Sequence, residues 1–258
     1  SCWAIAEDKN GKLWFGSYGE GLSIYDGYKF KTLSAKDRLV HNQITKLFTS
    51  GNYMYVGTSD GVSLIDVNTF KVNSLKTPSG KELFRVQDFF EYQNQIYVVT
   101  YRSGIFKILN EEGQTALVEV NDHKYIYSTF PDNDSIYSSN KGFFTKSHLP
   151  EYVSEKDSIP LEKRGTSIIW DYAKTDDQRI FAAAWGIYDT NGGIYELVDE
   201  QLISRASEFN IASQEVISLA YDSKFEKLYA GTRDAGLFEI ALNPQIKIHE
   251  LPGKNIIG

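Results

Sequence analysis

Residues able to do chemistry are scattered along this chain rather than gathered into motifs. Its four histidines, His41, His123, His148 and His249, stand far apart and show no ligand-like spacing. Cys2 is the only cysteine, which excludes an intrachain disulfide. The chain contains no His-Glu-x-x-His pair, EF-hand loop, Gly-x-Ser-x-Gly elbow, phosphate-binding loop or dinucleotide fingerprint. The acidic pairs Glu7-Asp8 and Asp176-Asp177 fall in turns, where solvated charge is the expectation. No catalytic residue, metal ligand or cofactor is therefore assigned.

Binding chemistry is better represented. Short glycine-containing loops carry aromatic and charged residues: Tyr18 and Glu20, Ser59 and Asp60, Tyr101 and Arg102, Asn140 and Lys141, Arg233 and Asp234. The longest such loop reads Trp185-Gly186-Ile187-Tyr188-Asp189-Thr190-Asn191-Gly192. Aromatic faces beside groups that bond hydroxyls suit a sugar ring. The competing reading is an Ω-like loop packed on itself or on a partner domain. The expected ligand-binding set is Tyr18, Glu20, Asp60, Tyr101, Arg102, Lys141, Trp185, Tyr188, Asp189 and Arg233. Neighbouring loops add His41-Asn42, Arg85 and Gln214-Glu215, each expected to be solvated rather than functional.

These loops need a scaffold that brings them together, and a repeat supplies it. An aromatic residue recurs as Trp14, Tyr55, Tyr97, Tyr137, Phe181 and Tyr229, at steps of 41, 42, 40, 44 and 48 residues. Two positions on stands Gly16, Gly57, Val99, Ser139, Ala183 or Gly231, small in every repeat but the third. A glycine follows in each: Gly21, Gly61, Gly104, Gly142, Gly193 and Gly236. Between the landmarks lie short strands separated by turns such as Asp8-Lys9-Asn10-Gly11 and Asp26-Gly27. Four strands in about 40–45 residues make one propeller blade. The fold class is thus all-β, a propeller of four-stranded antiparallel blades. Approximate blade limits are 1–40, 41–84, 85–124, 125–164, 165–212 and 213–258. In such a blade the aromatic fills the wedge towards its neighbour, and the small residue permits close approach. Loops joining second to third strands, and loops leading into the next inner strand, share one face.

The chain opens inside a strand-like segment and closes on Lys254-Asn255-Ile256-Ile257-Gly258, the start of another. It reads as a piece of a longer protein, with six blades of a ring that has six or, by a slight preference, seven. If a blade is missing, the first and last blades should expose apolar faces.

Composition agrees. Aromatics form 14% of the 258 residues, with 17 Tyr and 15 Phe, which suits strands. A net charge of −7 without a long basic run argues against a nucleic-acid or anionic-membrane surface. No stretch is long and apolar enough for a membrane helix, so this segment is not expected to insert into a bilayer.

The run from Trp3 to Ser17, Trp-Ala-Ile-Ala-Glu-Asp-Lys-Asn-Gly-Lys-Leu-Trp-Phe-Gly-Ser, continues as Tyr18-Gly19-Glu20-Gly21-Leu22-Ser23-Ile24-Tyr25-Asp26-Gly27. It resembles the two-component regulator propeller repeat. The sixth repeat keeps Asp222, Leu228, Tyr229, Gly231-Thr232 and Gly236-Leu237; the second keeps Val56-Gly57-Thr58 and Asp60-Gly61-Val62. The resemblance implies an extracytoplasmic sensor domain of a bacterial hybrid histidine kinase, on the periplasmic or extracellular side of the inner membrane. It implies an oligosaccharide ligand, further propeller or β-sandwich domains in the same protein, and a homodimer. Two alternatives stand beside it. One is a structural or protein-interaction propeller of the envelope, of the secretion-accessory type. The other is a hydrolase or lactonase with acids gathered at the propeller axis.

Overall fold

The computed structural model describes residues 2–111, 114–140, 143–147, 158–160, 168–186, 192–199 and 201–242. These form six sheets of sequential, antiparallel strands, each ordered from inner to outer strand. Blade 1 comprises Cys2–Glu7, Leu13–Ser17, Leu22–Tyr25 and Phe30–Leu33, and blade 2 comprises Ile44–Ser50, Tyr53–Thr58, Val62–Asp66 and Val72–Leu75. Blade 3 comprises Val86–Tyr92, Gln95–Thr100, Ile105–Glu111 and Gln114–Asn121, and blade 4 comprises Ile126–Asp132, Ser135–Asn140, Phe143–Ser147 and Ser158–Pro160. Blade 5 comprises Ile168–Lys174, Ile180–Trp185, Gly193–Val198 and Gln201–Ser204. Blade 6 has three described strands, Val216–Asp222, Lys227–Thr232 and Leu237–Ala241; the outer strand expected at 245–251 lies outside the described residues. Helix among the described residues is limited to a 3₁₀ turn at Ala35–Asp37 and one turn at Ala206–Phe209. The chain divides into two compact units, which part between Ile126 and Tyr127.

Hairpin turns are set by aspartates. Asp26 Oδ1 accepts from the backbone N–H of Tyr28 and Lys29, Asp66 Oδ1 from Asn68 and Thr69, and Asp222 Oδ1 from Lys224 and Phe225. Each carboxylate offers the chain a ready turn in place of continued strand. Those backbone donors hold the Asp26 and Asp66 carboxyls below their usual range. Asp8 goes further and corrects the expectation of a solvated turn charge. It is buried; its Oδ1 accepts from the N–H of Asn10 and Lys12, and its Oδ2 accepts from Trp14 Nε1 at 2.9 Å. A turn carboxylate thus satisfies the indole of the fully buried landmark aromatic.

Neighbouring blades meet where the repeat places its small residue. A Cβ on Gly16 would lie 2.5 Å from Cγ2 of Ile44, the first residue of the blade 2 inner strand. A Cβ on Gly57 would lie 2.6 Å from Cγ1 of Val86, the first residue of the blade 3 inner strand. A β-branched side chain therefore seats on a position that has none, and the landmark aromatics fill the wedge alongside. Trp14 packs with Met54, Val56 and Ile65 of blade 2; Tyr55 packs with Phe89, Val98 and Phe106 of blade 3. In the second unit Tyr137 packs with Ile169 and Ala182, and Phe181 with Leu219 and Leu228. Polar links reinforce these seams. Lys46 pairs with buried Asp88 at 3.0 Å, Ser128 Oγ donates to the Ile169 carbonyl, and the Leu219 N–H donates to Asp171 Oδ2.

Register identifies two faces that lack this cover among the described residues. Ile5 is 65% exposed, whereas Leu47, Phe89 and Leu219 at the matching position of their inner strands are no more than 8% exposed. Leu237, opposite Gly231, is 70% exposed, whereas Leu22, Val62, Ile105 and Ile194 at the matching position are at most 1% exposed. Each is the face that a neighbouring blade covers elsewhere in the fold.

Within blade 5, buried Glu196 receives a two-pronged contact from Arg179, at 2.8 and 3.0 Å, and a third bond from Arg205 at 2.6 Å. The Arg179 bonds, with Arg205 behind them, outweigh burial and hold the Glu196 carboxyl below the usual range.

Two outcomes are expected. Gly16→Ala should cost about 1–3 kcal/mol, because rigid Ile44 atoms must move, while Trp14→Ala should cost about 3–5 kcal/mol. Thermal melts that leave either variant at the parent midpoint would contradict the seam described above. Glu196 stabilises the fold fully above the ordinary glutamate range, and loses that contribution as pH falls through its lowered folded value. Urea titrations from about pH 7 to about pH 3 should accordingly show the stability gap between parent and Glu196→Gln shrinking towards acid.

Candidate functional site

The site begins with a ladder of backbone hydrogen bonds along one edge of the blades. In the first unit the Ser59 N–H donates to the Gln43 carbonyl at 3.1 Å, Arg85 to Ser59 at 2.6 Å, Tyr101 to Arg85 at 2.9 Å, and Tyr125 to Tyr101 at 2.7 Å. Tyr18 pairs with Gln43 at the head of this ladder. In the second unit Trp185 pairs with Glu215, the Gly186 N–H donates to Gln214, and the Arg233 N–H donates to Glu215. The loops between second and third strands are thus tied to the segments that lead into inner strands. Backbone groups are consumed by the ladder, so side chains define the surface.

The sharp turn that makes each loop short depends on its glycine. Gly104 has φ of +102°, and a Cβ there would lie 2.1 Å from the Asn121 carbonyl oxygen. Arg85 and Tyr125 adopt left-handed backbone too, with φ of 48° and 64°. Neither is glycine, so the ladder holds both in a sparsely populated conformation.

Each unit carries its own aromatic cluster on this edge. In the first, Phe84 and Tyr101 have ring centroids 6.5 Å apart, and Tyr101 meets Tyr125 edge-on at 5.3 Å. The Arg102 guanidinium lies 5.0 Å from the Phe84 ring and 5.7 Å from that of Tyr101. Trp3 and Tyr18 form a separate, exposed pair at 5.4 Å. In the second unit Tyr127 meets Trp170 edge-on at 5.5 Å, Trp170 lies 5.7 Å from Trp185, and the Arg233 guanidinium sits 4.8 Å above Trp185. Arg233 also pairs with Glu215 at 3.4 Å. In the same unit, Trp170 Nε1 and Gln214 Oε1 are enclosed and have no hydrogen-bond partner among the described residues. An aromatic pair with an unpaired indole donor is chemistry of the kind a hydroxyl-bearing ring uses.

Of the residues expected from sequence, Tyr101 and Arg102 come together in the first unit, and Trp185 and Arg233 in the second. Tyr18 is placed beside Trp3. Glu20 and Asp60 are exposed loop residues outside these clusters. Lys141, Tyr188 and Asp189 lie outside the described residues. The expectation that His41, Asn42, Arg85 and Gln214-Glu215 are merely solvated is corrected. All are half-buried; His41 Nδ1 accepts from the Gln43 N–H, Asn42 Oδ1 accepts from the Ala35 N–H, and Arg85, Gln214 and Glu215 are rungs of the ladder.

Sequence reasoning missed Trp3, Phe84, Tyr125, Tyr127 and Trp170. Trp3 and Trp170 occupy bulges, where the register of the inner strand shifts between Cys2 and Ala4 and between Ile169 and Asp171. Bulges re-aim side chains, and the bulged residue stands ten to twelve positions before each landmark aromatic. That offset was the available signal.

The fold that displays these clusters is a β-propeller. Residues 1–19, within blade 1, match the model of the two-component regulator propeller. No curated protein sequence matches the chain. The extracellular domain of a hybrid two-component system from B. thetaiotaomicron superimposes with a TM-score of 0.75 at 16% identity, covering 98% of this chain and 35% of its own. PorZ, a bacterial surface component of the type-IX secretion system of Porphyromonas gingivalis, superimposes with a TM-score of 0.66 at 16% identity, covering 92% of this chain and 38% of its own. The dihydro-heme d1 dehydrogenase NirN, solved in complex with DHE, has a TM-score of 0.57 at 15% identity, covering 93% of this chain and 56% of its own. Identities this low establish a shared fold, and the chain spans about a third of the two-component domain.

Display rather than core support predicts stability. Tyr18→Ala and Arg102→Ala should each change unfolding free energy by about 0.5 kcal/mol or less. A large loss in denaturant titration would reassign either side chain to packing.

Proposed function

We propose that this chain is a non-catalytic, extracytoplasmic sensor propeller of a two-component signalling protein, and that it recognises a carbohydrate on the ladder edge. The family-model match at residues 1–19 and the two-component structural neighbour support the signalling role and the location outside the cytoplasm. One observation carries the ligand class. Trp170 and Trp185 lie 5.7 Å apart in a tilted pair, and the Trp170 indole N–H has no hydrogen-bond partner among the described residues. Neighbouring aromatic faces bind the apolar face of a sugar, and an unpaired indole donor suits one of its hydroxyls. The kinase step belongs to other parts of such a protein, to which this domain would report occupancy.

The similarity to PorZ favours a second reading, a protein-interaction propeller of the bacterial envelope. The exposed faces at Ile5 and Leu237 suit that reading as well, since both are apolar.

Calorimetric titration with a panel of oligosaccharides decides between them. Binding of at least one, weakened about tenfold or more by Trp185→Ala, is the expected result. Binding untouched by Trp185→Ala would move the site elsewhere, and turnover of any panel member would make the domain an enzyme.

A further inference from the structure

In blades 2, 3 and 6 the residue immediately before the inner strand stands opposite a loop residue of its own blade, joined to it through the ladder. In blade 2 this pair is Gln43 and Ser59, and Ser59 Oγ donates to Gln43 Oε1 at 2.7 Å. In blade 6 it is Glu215 and Arg233, which form an ion pair. In blade 3 it is Arg85 and Tyr101. A neutral phenol cannot balance a guanidinium, and no carboxylate pairs with Arg85 among the described residues. Its Nε is enclosed without a hydrogen-bond partner.

Four other half-buried cations are matched. Lys46 has Asp88, Lys174 has Asp132, and Arg179 and Arg205 share Glu196. A guanidinium cannot shed its charge, so withdrawing one from water without a counter-charge is costly. Arg85 is moreover fixed on both sides. Its own N–H donates to Ser59, its carbonyl accepts from Tyr101, and its backbone is held at φ of 48°. Around it lie Phe84 and Tyr125, 49% and 44% exposed, with Tyr101 between them and Arg102 stacked on Phe84 and Tyr101.

We propose that Arg85 is an oxyanion-reading residue: it receives a carboxylate or sulfate ester carried by a sugar whose ring lies against Phe84, Tyr101 and Tyr125. The planar guanidinium presents paired N–H groups that match the oxygens of either anion, and burial strengthens the bond. The sugar ring needs the aromatic faces, and the fixed cation needs the anion. The inference rests on the carbohydrate reading above and narrows it to acidic glycans.

The test is calorimetric titration of the purified chain with three matched disaccharides, one neutral, one containing a uronate and one sulfated. At least one charged form should bind about tenfold or more tightly than the neutral form, with a preference that shrinks as salt rises. Arg85→Gln should abolish the preference of charged over neutral forms; Arg85→Lys, which keeps the charge but loses the fork, should fall between. The uronate and sulfate arms tell the two anions apart. Equal binding of charged and neutral forms to the parent overturns the proposal while the carbohydrate reading stands, and this arm needs no variant to fold. A preference that survives in folded Arg85→Gln also overturns it. If none of the three binds, the carbohydrate reading fails and this inference with it.

Discussion

A β-branched side chain resting on a residue that has no room for a Cβ is the contact on which this structure depends. Ile44 occupies that place on Gly16, and Val86 on Gly57. The approach is close enough that the inner strand of one blade lies directly on the second strand of the last. The large aromatics Trp14 and Tyr55 then fill the wedge that widens outward. Once two blades are set at this distance, their inner strands lie within reach of polar links such as Lys46 to Asp88. The backbones at the blade edge come close enough to bond as well.

That last consequence turns packing into a surface. The ladder from Gln43 through Ser59, Arg85 and Tyr101 to Tyr125 absorbs donors and acceptors that loops otherwise leave to water. It also holds Arg85 and Tyr125 in left-handed backbone, a conformation that a bulky residue keeps only when its surroundings impose it. Rings and guanidinium groups are thereby displayed from fixed positions, which lowers the ordering cost of binding. The same blade that carries Trp185 on this edge carries the Arg179–Glu196–Arg205 cluster between its strands, so a rigid support lies beneath a displayed aromatic.

The repeat was legible because its signals are local. Val62–Asp66, Gln95–Thr100 and Lys227–Thr232 could be bounded from alternation and turn residues alone, since strand period and turn chemistry act within a few residues. The wedge role of the aromatics followed from the period. Asp8 was misread for the opposite reason. Its position in a turn is local, but it bonds the indole of Trp14, a side chain packed with residues of the neighbouring blade. Trp170 was missed because a bulge, not the alternation of its strand, decides where it points.

By itself the sequence determined the fold class, the order of strands, the aromatic and small landmarks, and the loops that carry binding chemistry. Tertiary structure alone decided which charges are matched. Gln43 finds Ser59, Glu215 finds Arg233, and Arg85 stands opposite Tyr101, pairings separated by about sixteen to eighteen residues that no motif spacing encodes. It also decided that Trp185 lies against Trp170 and that Ile5 and Leu237 are exposed while their counterparts are buried. The reason is physical: pairing depends on which loop residue the fold sets opposite each strand start, and burial on side chains that the next blade brings from a full repeat away.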